Sequence, residues 1–195
     1  MGKAMNDSQF PDETAPFSRP VAVAAIPESG SRVKYRATEA ECAALAEQDG
    51  LAAIRDLVVE AELFRRGRDG LIAKGRVSAV VTQTCVVTLE PFEARVEEPF
   101  EIEFAPQAEA EAAYAKAMAE IEAALDKAAV LAAQKDPPDP IMDGKVDLGA
   151  LGAEFLALGL DPHPRKPGAS FDEILDPLGE EKPSPFAALA KIKKD

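Results

Sequence analysis

The stretch LVVEAELFRRGRDGLIAKGRVSAVVT, residues 57–82, decides the fold class. In its first half Leu57, Val59, Ala61 and Leu63 alternate with Glu60 and Glu62, the period of two that a half-buried strand requires. Asp69-Gly70 then offers the positive φ angles of a tight hairpin turn. The returning half sets Leu71, Ala73, Val77, Ala79 and Val81 on one side, with Lys74, Arg76, Ser78 and Thr82 on the other. After the segment 85–91, Phe92, Ala94, Val96, Phe100, Ile102 and Phe104 alternate with Glu93, Arg95, Glu97, Glu101 and Glu103. Three long strands with one polar face each predict an antiparallel meander, open or curled toward a barrel. Pro99 has no N–H for a ladder and so marks an edge or a bulge.

Working outward, Val21, Val23 and Ala25 alternate with Ala22 and Ala24, and Val33, Tyr35 and Ala37 alternate with Arg32, Lys34 and Arg36. Both runs read as strands. Thr38 with Glu41 three residues on is a capping box, predicting a helix over 39–48 that Gly50 stops. Leu51, Ile54 and Leu57 then fall at helical spacing and suggest one more turn. Residues 107–134 are rich in Ala and Glu with no Pro or Gly, so helix propensity is high. Their apolar stripe (Tyr114, Met118, Ile121, Leu125) is thin, which predicts a solvated arm or a helix formed on contact. Asp136-Pro137-Pro138-Asp139-Pro140 ends it, and Asp143-Gly144 turns the chain. Asp147 then caps a helix carrying Leu148, Leu151, Phe155 and Leu158, closed by Gly159 and Pro162.

These elements describe one α+β domain over 17–162, with the acidic helical arm at 107–135 inside it. Residues 1–16 read as disordered, and 163–195 as a flexible tail with a short terminal helix near 185–191.

The chain has 195 residues, close to one ordinary domain. Of its 47% hydrophobic residues, 37 positions are alanine, which leaves enough larger side chains for one modest core. The longest apolar run near the start, 21–26, falls far short of the roughly 20 residues a membrane helix needs. Residues 2–17 have no apolar signal-peptide core. Two cysteines 43 positions apart fit a reducing cytoplasm and no disulfide framework. Neither a membrane nor DNA is expected as a partner.

The net charge of −13 is unevenly spread. Residues 17–84 carry 10 bases and 9 acids, whereas residues 85–144 carry 4 bases and 14 acids. Such asymmetry concerns partners more than folding. Arg32, Lys34 and Arg36 share one strand face, Arg65, Arg66 and Arg68 stand at the hairpin tip, and Lys74 and Arg76 lie just beyond. These eight bases are the candidate RNA-phosphate contacts, and an ordinary solvated sheet face is the alternative. No aromatic stacking surface is read beside them. The acidic element 90–126 holds 11 acids and 2 bases. It is either a self-repelling solubilising arm or a surface for a strongly basic partner.

Catalytic signatures are absent. His163, the single histidine, sits between two prolines with no nucleophile at a recognisable spacing. Cys85 reads as a half-buried small hydrophobe or former ligand before it reads as a reactive thiol. Cys42 reads as core. Asp136, Asp139, Asp143 and Asp147 lack the spacing of a calcium loop, and no phosphate or dinucleotide loop occurs.

Several segments together carry a resemblance. They are Gly75-Arg76-Val77-Ser78-Ala79 leading into residues 83–92, then Gly144-Lys145-Val146-Asp147-Leu148-Gly149, then residues 154–162, and last Ser184-Pro185-Phe186-Ala187-Ala188-Leu189-Ala190. In this order, over residues 17–164 and the tail, the chain resembles the YceD family of large ribosomal RNA subunit accumulation proteins. The resemblance implies a bacterial factor needed for normal accumulation of 23S ribosomal RNA, without implying the molecular step. Many members of that family place Cys-x-x-Cys before a Pro-Phe and further cysteine after the last helix, a pattern suggestive of a zinc knuckle. Here Cys85 keeps the first position, Thr88 stands at the second, and Asp161, His163 and Arg165 follow the helix. Structural zinc takes four such ligands, so no metal or other cofactor is expected, and packing of Val86, Val87 and Leu89 is expected in its place. The function expected is non-enzymatic support of 23S ribosomal RNA accumulation and large-subunit assembly, by binding that RNA or the pre-50S particle, a basic ribosomal protein, or both. The rivals are an adaptor for a basic ribosomal protein that never touches RNA, and an RNA-processing enzyme, disfavoured for want of a nucleophile, metal set or cofactor loop.

Overall fold

The alternating stretch forms the long strands at the centre of the protein, seen in a computed structural model that describes residues 15–124 and 136–170. In chain order the elements are β1 (Pro20–Ala22), β2 (Ser31–Arg36), α1 (Glu39–Gln48), β3 (Ala53–Arg66), β4 (Gly70–Thr84), β5 (Pro91–Pro106) and α2 (Gln107–Ala123). After these come β6 (Asp139–Ile141), β7 (Lys145–Asp147) and α3 (Leu148–Leu158). The main sheet has the order β2-β3-β4-β5-β6, antiparallel except for the parallel pair β5–β6, and β1 pairs with β7 in a second sheet. The class is α+β. The sheet is open and not a closed barrel, because β6 is three residues long and ladders only with Phe104–Pro106, leaving no length of edge to meet β2.

Alternation does the packing. Leu57, Val59, Ala61 and Leu63 of β3 and Leu71, Ala73, Val77, Ala79 and Val81 of β4 are all buried on the inner face. Strand β5 adds Val96, Phe100 and Phe104, and α3 covers them with Leu148, Leu151 and Leu156. Each such large side chain contributes about 1.5–3 kcal/mol on burial. Gly152 lets α3 settle onto Val59, for a Cβ there would lie 2.2 Å from Val59 Cγ2. Phe155 tilts against Phe100 at 5.3 Å between ring centroids.

The capping box forms as read, with Thr38 Oγ1 accepting from the Glu41 N–H and the Glu41 carboxylate accepting from the Thr38 N–H. Gly50 follows the helix at φ +66°. Asp143 and Gly144, at φ 50° and 70°, turn the chain between β6 and β7. Pro99 lies on β5 outside the three-residue reach of β6, so its missing N–H breaks no ladder.

Five local expectations need correction. The helical turn at Leu51, Ile54 and Leu57 is strand: a bulge between Arg55 and Val58, with Asp56 at φ 53°, adds one residue. That shift brings both Ile54 and Leu57 to the core face, which imitates helical spacing. In the hairpin, Arg66 pairs with Gly70 around a three-residue loop, and the positive φ belongs to Gly67. Gly70 is glycine for space, since a Cβ would meet the Arg66 carbonyl oxygen at 2.7 Å. The first strand ends at Ala22 in a 3-10 turn over Val23–Ala25, so Val23 and Ile26 are the buried pair. On α3, Leu158 is 69% exposed and Leu156 takes the core place. The proline run does not stop α2, which ends at Ala123 with Ala124 extended, and Asp139-Pro140 instead opens β6.

Helix α2 begins at Gln107 as expected and buries Ala110 alone. The rest of the expected arm (125–135), most of the N-terminal segment (1–14) and the terminal helix near 185–191 lie outside the described residues. No helix among the described residues is long and apolar enough to cross a membrane.

Candidate nucleic-acid interface

The outer face of the main sheet is built from the polar half of each alternation, and adjacent strands carry opposite signs. Strand β2 presents Arg32, Lys34 and Arg36, β3 presents Glu60 and Glu62, β4 presents Lys74 and Arg76, and β5 presents Glu97, Glu101 and Glu103. The register puts Glu62 between Arg32 and Lys74, and Glu60 between Lys34 and Arg76. Lys34 Nζ lies 2.6 Å from Glu60 Oε1, and Arg76 Nη2 lies 2.9 Å from Glu60 Oε2. The hydrogen bond from Lys34, with that from Arg76 behind it, holds the Glu60 carboxyl below the ordinary range. Lys74 meets Glu101 at 2.7 Å, Arg36 meets Asp56 at 3.0 Å, and Arg32 pairs with Glu62. A shallow groove of about 560 Å³ runs over this lattice, lined by Arg32, Lys34, Glu60, Glu62, Lys74 and Arg76.

The eight bases named from the sequence are therefore divided. Arg32, Lys34 and Arg36 form a rim column on the edge strand, Lys74 and Arg76 an inner column flanked by acids, and Arg65, Arg66 and Arg68 the hairpin end. Arg66 reaches Glu109 at 3.0 Å and Glu103 at 3.4 Å. Arg65 has the opposite parity, is half-buried, and donates to the Arg68 carbonyl oxygen. Among the described residues neither the Arg65 nor the Arg68 side chain meets a carboxylate.

One side chain on this face escaped the sequence reading. Phe64 is 39% exposed, on the outer face beside the arginines. Its position was legible: it has the parity of Glu60 and Glu62, so an aromatic ring stands on the polar side of β3.

A second constellation surrounds Cys85. The sulfur is fully buried and accepts from the N–H groups of Val87 at 3.4 Å and Thr88 at 3.5 Å. The Val86 N–H donates to the Pro164 carbonyl oxygen, and Lys166 Nζ meets Glu90 at 2.8 Å. Burial pushes the thiol up, but the Thr88 hydroxyl and the N–H groups of Lys166, Thr88 and Val87 pull harder and bring it to about 7. The backbone thus folds as a knuckle that joins the 85–90 loop to the segment after α3. Its donors do not fit zinc: Thr88 supplies a hydroxyl where a second thiolate would stand, and His163 is exposed. Among the described residues no group of three or more His, Cys, Asp or Glu could hold a metal ion. The expected packing is corrected too. Val87 is buried, whereas Val86 is 42% and Leu89 76% exposed, so hydrogen bonds to sulfur and the Lys166–Glu90 pair hold the loop. Cys42 is core, as read.

A family model described as Large ribosomal RNA subunit accumulation protein YceD matches residues 73–193, more than half of the chain. The chain belongs to the YceD family. No curated protein and no solved structure matches it. The YceD match opens inside β4, so it takes in Lys74, Arg76, the Cys85 knuckle and α3. It leaves the rim column, Phe64 and the hairpin arginines on the N-terminal side. The family's description ties this YceD protein to accumulation of the large-subunit ribosomal RNA.

Proposed function

We propose that the protein supports 23S ribosomal RNA accumulation by binding the RNA or the pre-50S particle around it, without turning over a substrate. The hairpin end of the sheet supports this reading best. Residues 65–69 hold three arginines against Asp69 alone, on a projecting turn. Exposed ion pairs such as those of Arg32, Arg66 and Lys74 are worth no more than about 1 kcal/mol each. A phosphate backbone can displace the carboxylates from them, and released counterions add a strong salt dependence. Two features favour binding over catalysis: the His163 side chain is exposed, and the Cys85 sulfur is buried against the backbone N–H groups of Val87 and Thr88.

The test is simultaneous reversal of Arg65, Arg66 and Arg68 to glutamate. RNA retention on a filter is expected to vanish at moderate salt while the melting temperature stays within a few degrees. Undiminished retention would remove the proposal.

A second reading has its own observation. On α2, Tyr114 is 59% and Met118 39% exposed, four residues apart, with Glu111, Glu120 and Glu122 on the same helix. An acidic helix with exposed apolar side chains of this kind suits the groove of a basic ribosomal protein. Changing Tyr114 and Met118 to serine should cost at least fivefold in capture of ribosomal proteins at low ionic strength, measured by pull-down. Equal capture would discard the adaptor.

A further inference from the structure

The ring of Phe64 is placed by its neighbours. A Cβ at Gly30 would lie 3.1 Å from Phe64 Cδ1 and 3.3 Å from Cε1, so the ring edge rests on a glycine, and a larger residue there would be strained at φ +83° and crowd the ring. On β4 its cross-strand partner is Ile72, also on the outer face. Charged side chains surround it, with Glu62 two residues back on the same face and three cations beyond. Lys74 is diagonal to Phe64 on β4, Arg32 is diagonal on the β2 side, and Arg66 lies two residues along on the same face of β3. Diagonal neighbours stand roughly 7–8 Å apart, within reach of long side chains. The result is a propped, partly exposed aromatic ring with an apolar neighbour and three cations around it, at the end of the sheet where the arginine turn projects.

An ordinary surface pair lattice needs no ring there. A base has a π-face and its nucleotide a phosphate, and both have a counterpart here. The bases of an RNA duplex are stacked inside it and cannot lie on a sheet, whereas bases of single strands, loops and bulges can be splayed onto an aromatic side chain. We propose that Phe64 is a stacking platform for one unpaired base of single-stranded RNA, with Arg32, Arg66 and Lys74 taking the flanking phosphates. This rests on the RNA-binding reading above and narrows it to an unpaired segment.

The test uses the full chain, a labelled 12-nucleotide oligoadenylate and a 12-base-pair RNA duplex, read by fluorescence anisotropy. Phe64→Leu keeps apolar bulk but removes the ring, and is expected to weaken oligoadenylate binding roughly tenfold, the scale of one stacked base. It should leave duplex binding unchanged, and Phe64→Tyr should keep single-strand affinity within about twofold of the original protein, since it retains the ring face. If the original protein binds both RNAs and Phe64→Leu binds them equally well, the platform is wrong and the arginine reading stands. If the original protein binds neither, the arginine reading falls and takes the platform with it. Equal losses on both RNAs with a lowered melting temperature in Phe64→Leu would make the ring structural, which overturns the proposal. So would a concentration-dependent dimer that Phe64→Leu abolishes, because the ring would then belong to a second copy.

Discussion

Gly75→Val is expected to leave too little stability for a folded protein at growth temperature. Gly75 sits mid-strand in β4, between Ala61 of β3 and Phe100 of β5. A Cβ there would lie 2.1 Å from the Glu60 carbonyl oxygen, 2.8 Å from Phe100 Cζ and 2.9 Å from Ala61 Cα. Two of those atoms are backbone of the neighbouring strand in the ladder and cannot swing aside, so either the ladder opens or Phe100 leaves the core. Overpacking alone costs about 1–3 kcal/mol, more where backbone must shift, against a total stability of about 5–15 kcal/mol. Gly75→Ala should already lower the urea midpoint, and valine should send the protein to the insoluble fraction. A Gly75→Ala protein as stable as the original would refute this account of the β3–β4 contact. The consequence reaches function, because Gly75 separates Lys74 and Arg76 and sets the close approach that seats both bases on the acids of β3 and β5.

Asp147→Ala is the second large effect. Its carboxylate accepts from the N–H groups of Gly149 at 2.9 Å and Ala150 at 3.1 Å, capping α3, and from the Arg19 N–H at 2.6 Å and the Ser18 hydroxyl. One side chain therefore joins the start of the core helix to the segment entering β1. Arg19 continues the tie, meeting Glu41 at 2.8 Å at the start of α1. Losing a cap costs about 1 kcal/mol and losing further hydrogen bonds to a charged group about 1.5–3 kcal/mol, so about 2–4 kcal/mol is expected in urea unfolding. Burial opposes ionisation of Asp147, but the bonds from Ser18, Arg19, Ala150 and Gly149 outweigh it and hold the carboxyl below the usual aspartate value. At Glu41 the Arg19 hydrogen bond, helped by the Thr38 N–H, brings the carboxyl to about 2. Both pKa values are depressed in the folded state, so their stabilisation is complete above the unfolded values near 4 and is lost as pH falls toward 2. Melting temperatures should decline across that window, and the double variant Asp147→Asn, Glu41→Gln should flatten the decline. The same slope in both proteins would show that other carboxylates carry the acid sensitivity.

Much of this is written locally. Thr38 and Glu41 are three residues apart, and Asp147 precedes a leucine-rich run, so both helix starts follow from chain geometry within one turn. Within the strands of 57–104 the period of two likewise sorts most residues, Val58 excepted, to a core or a polar face without knowledge of the partner strand. The same parity puts Phe64 outward, although nothing in the sequence shows that Gly30 supports its ring. Where one face changes parity, local reading fails. Ile54 and Leu57 share helical spacing only because a bulge stands between them, and a bulge is defined by the strand opposite.

Sequence alone determined the three long strands, the capped helices and the division of charge between the two halves, since each depends on neighbours within a few residues. Only the tertiary structure decided that β1 pairs with β7, that β6 runs parallel to β5, and that the acids of β3 stand between two columns of bases. Those outcomes depend on contacts between residues far apart in the chain. Pairing of that kind is selected by how well whole faces pack and how backbone groups find partners, and no short window of residues carries that information.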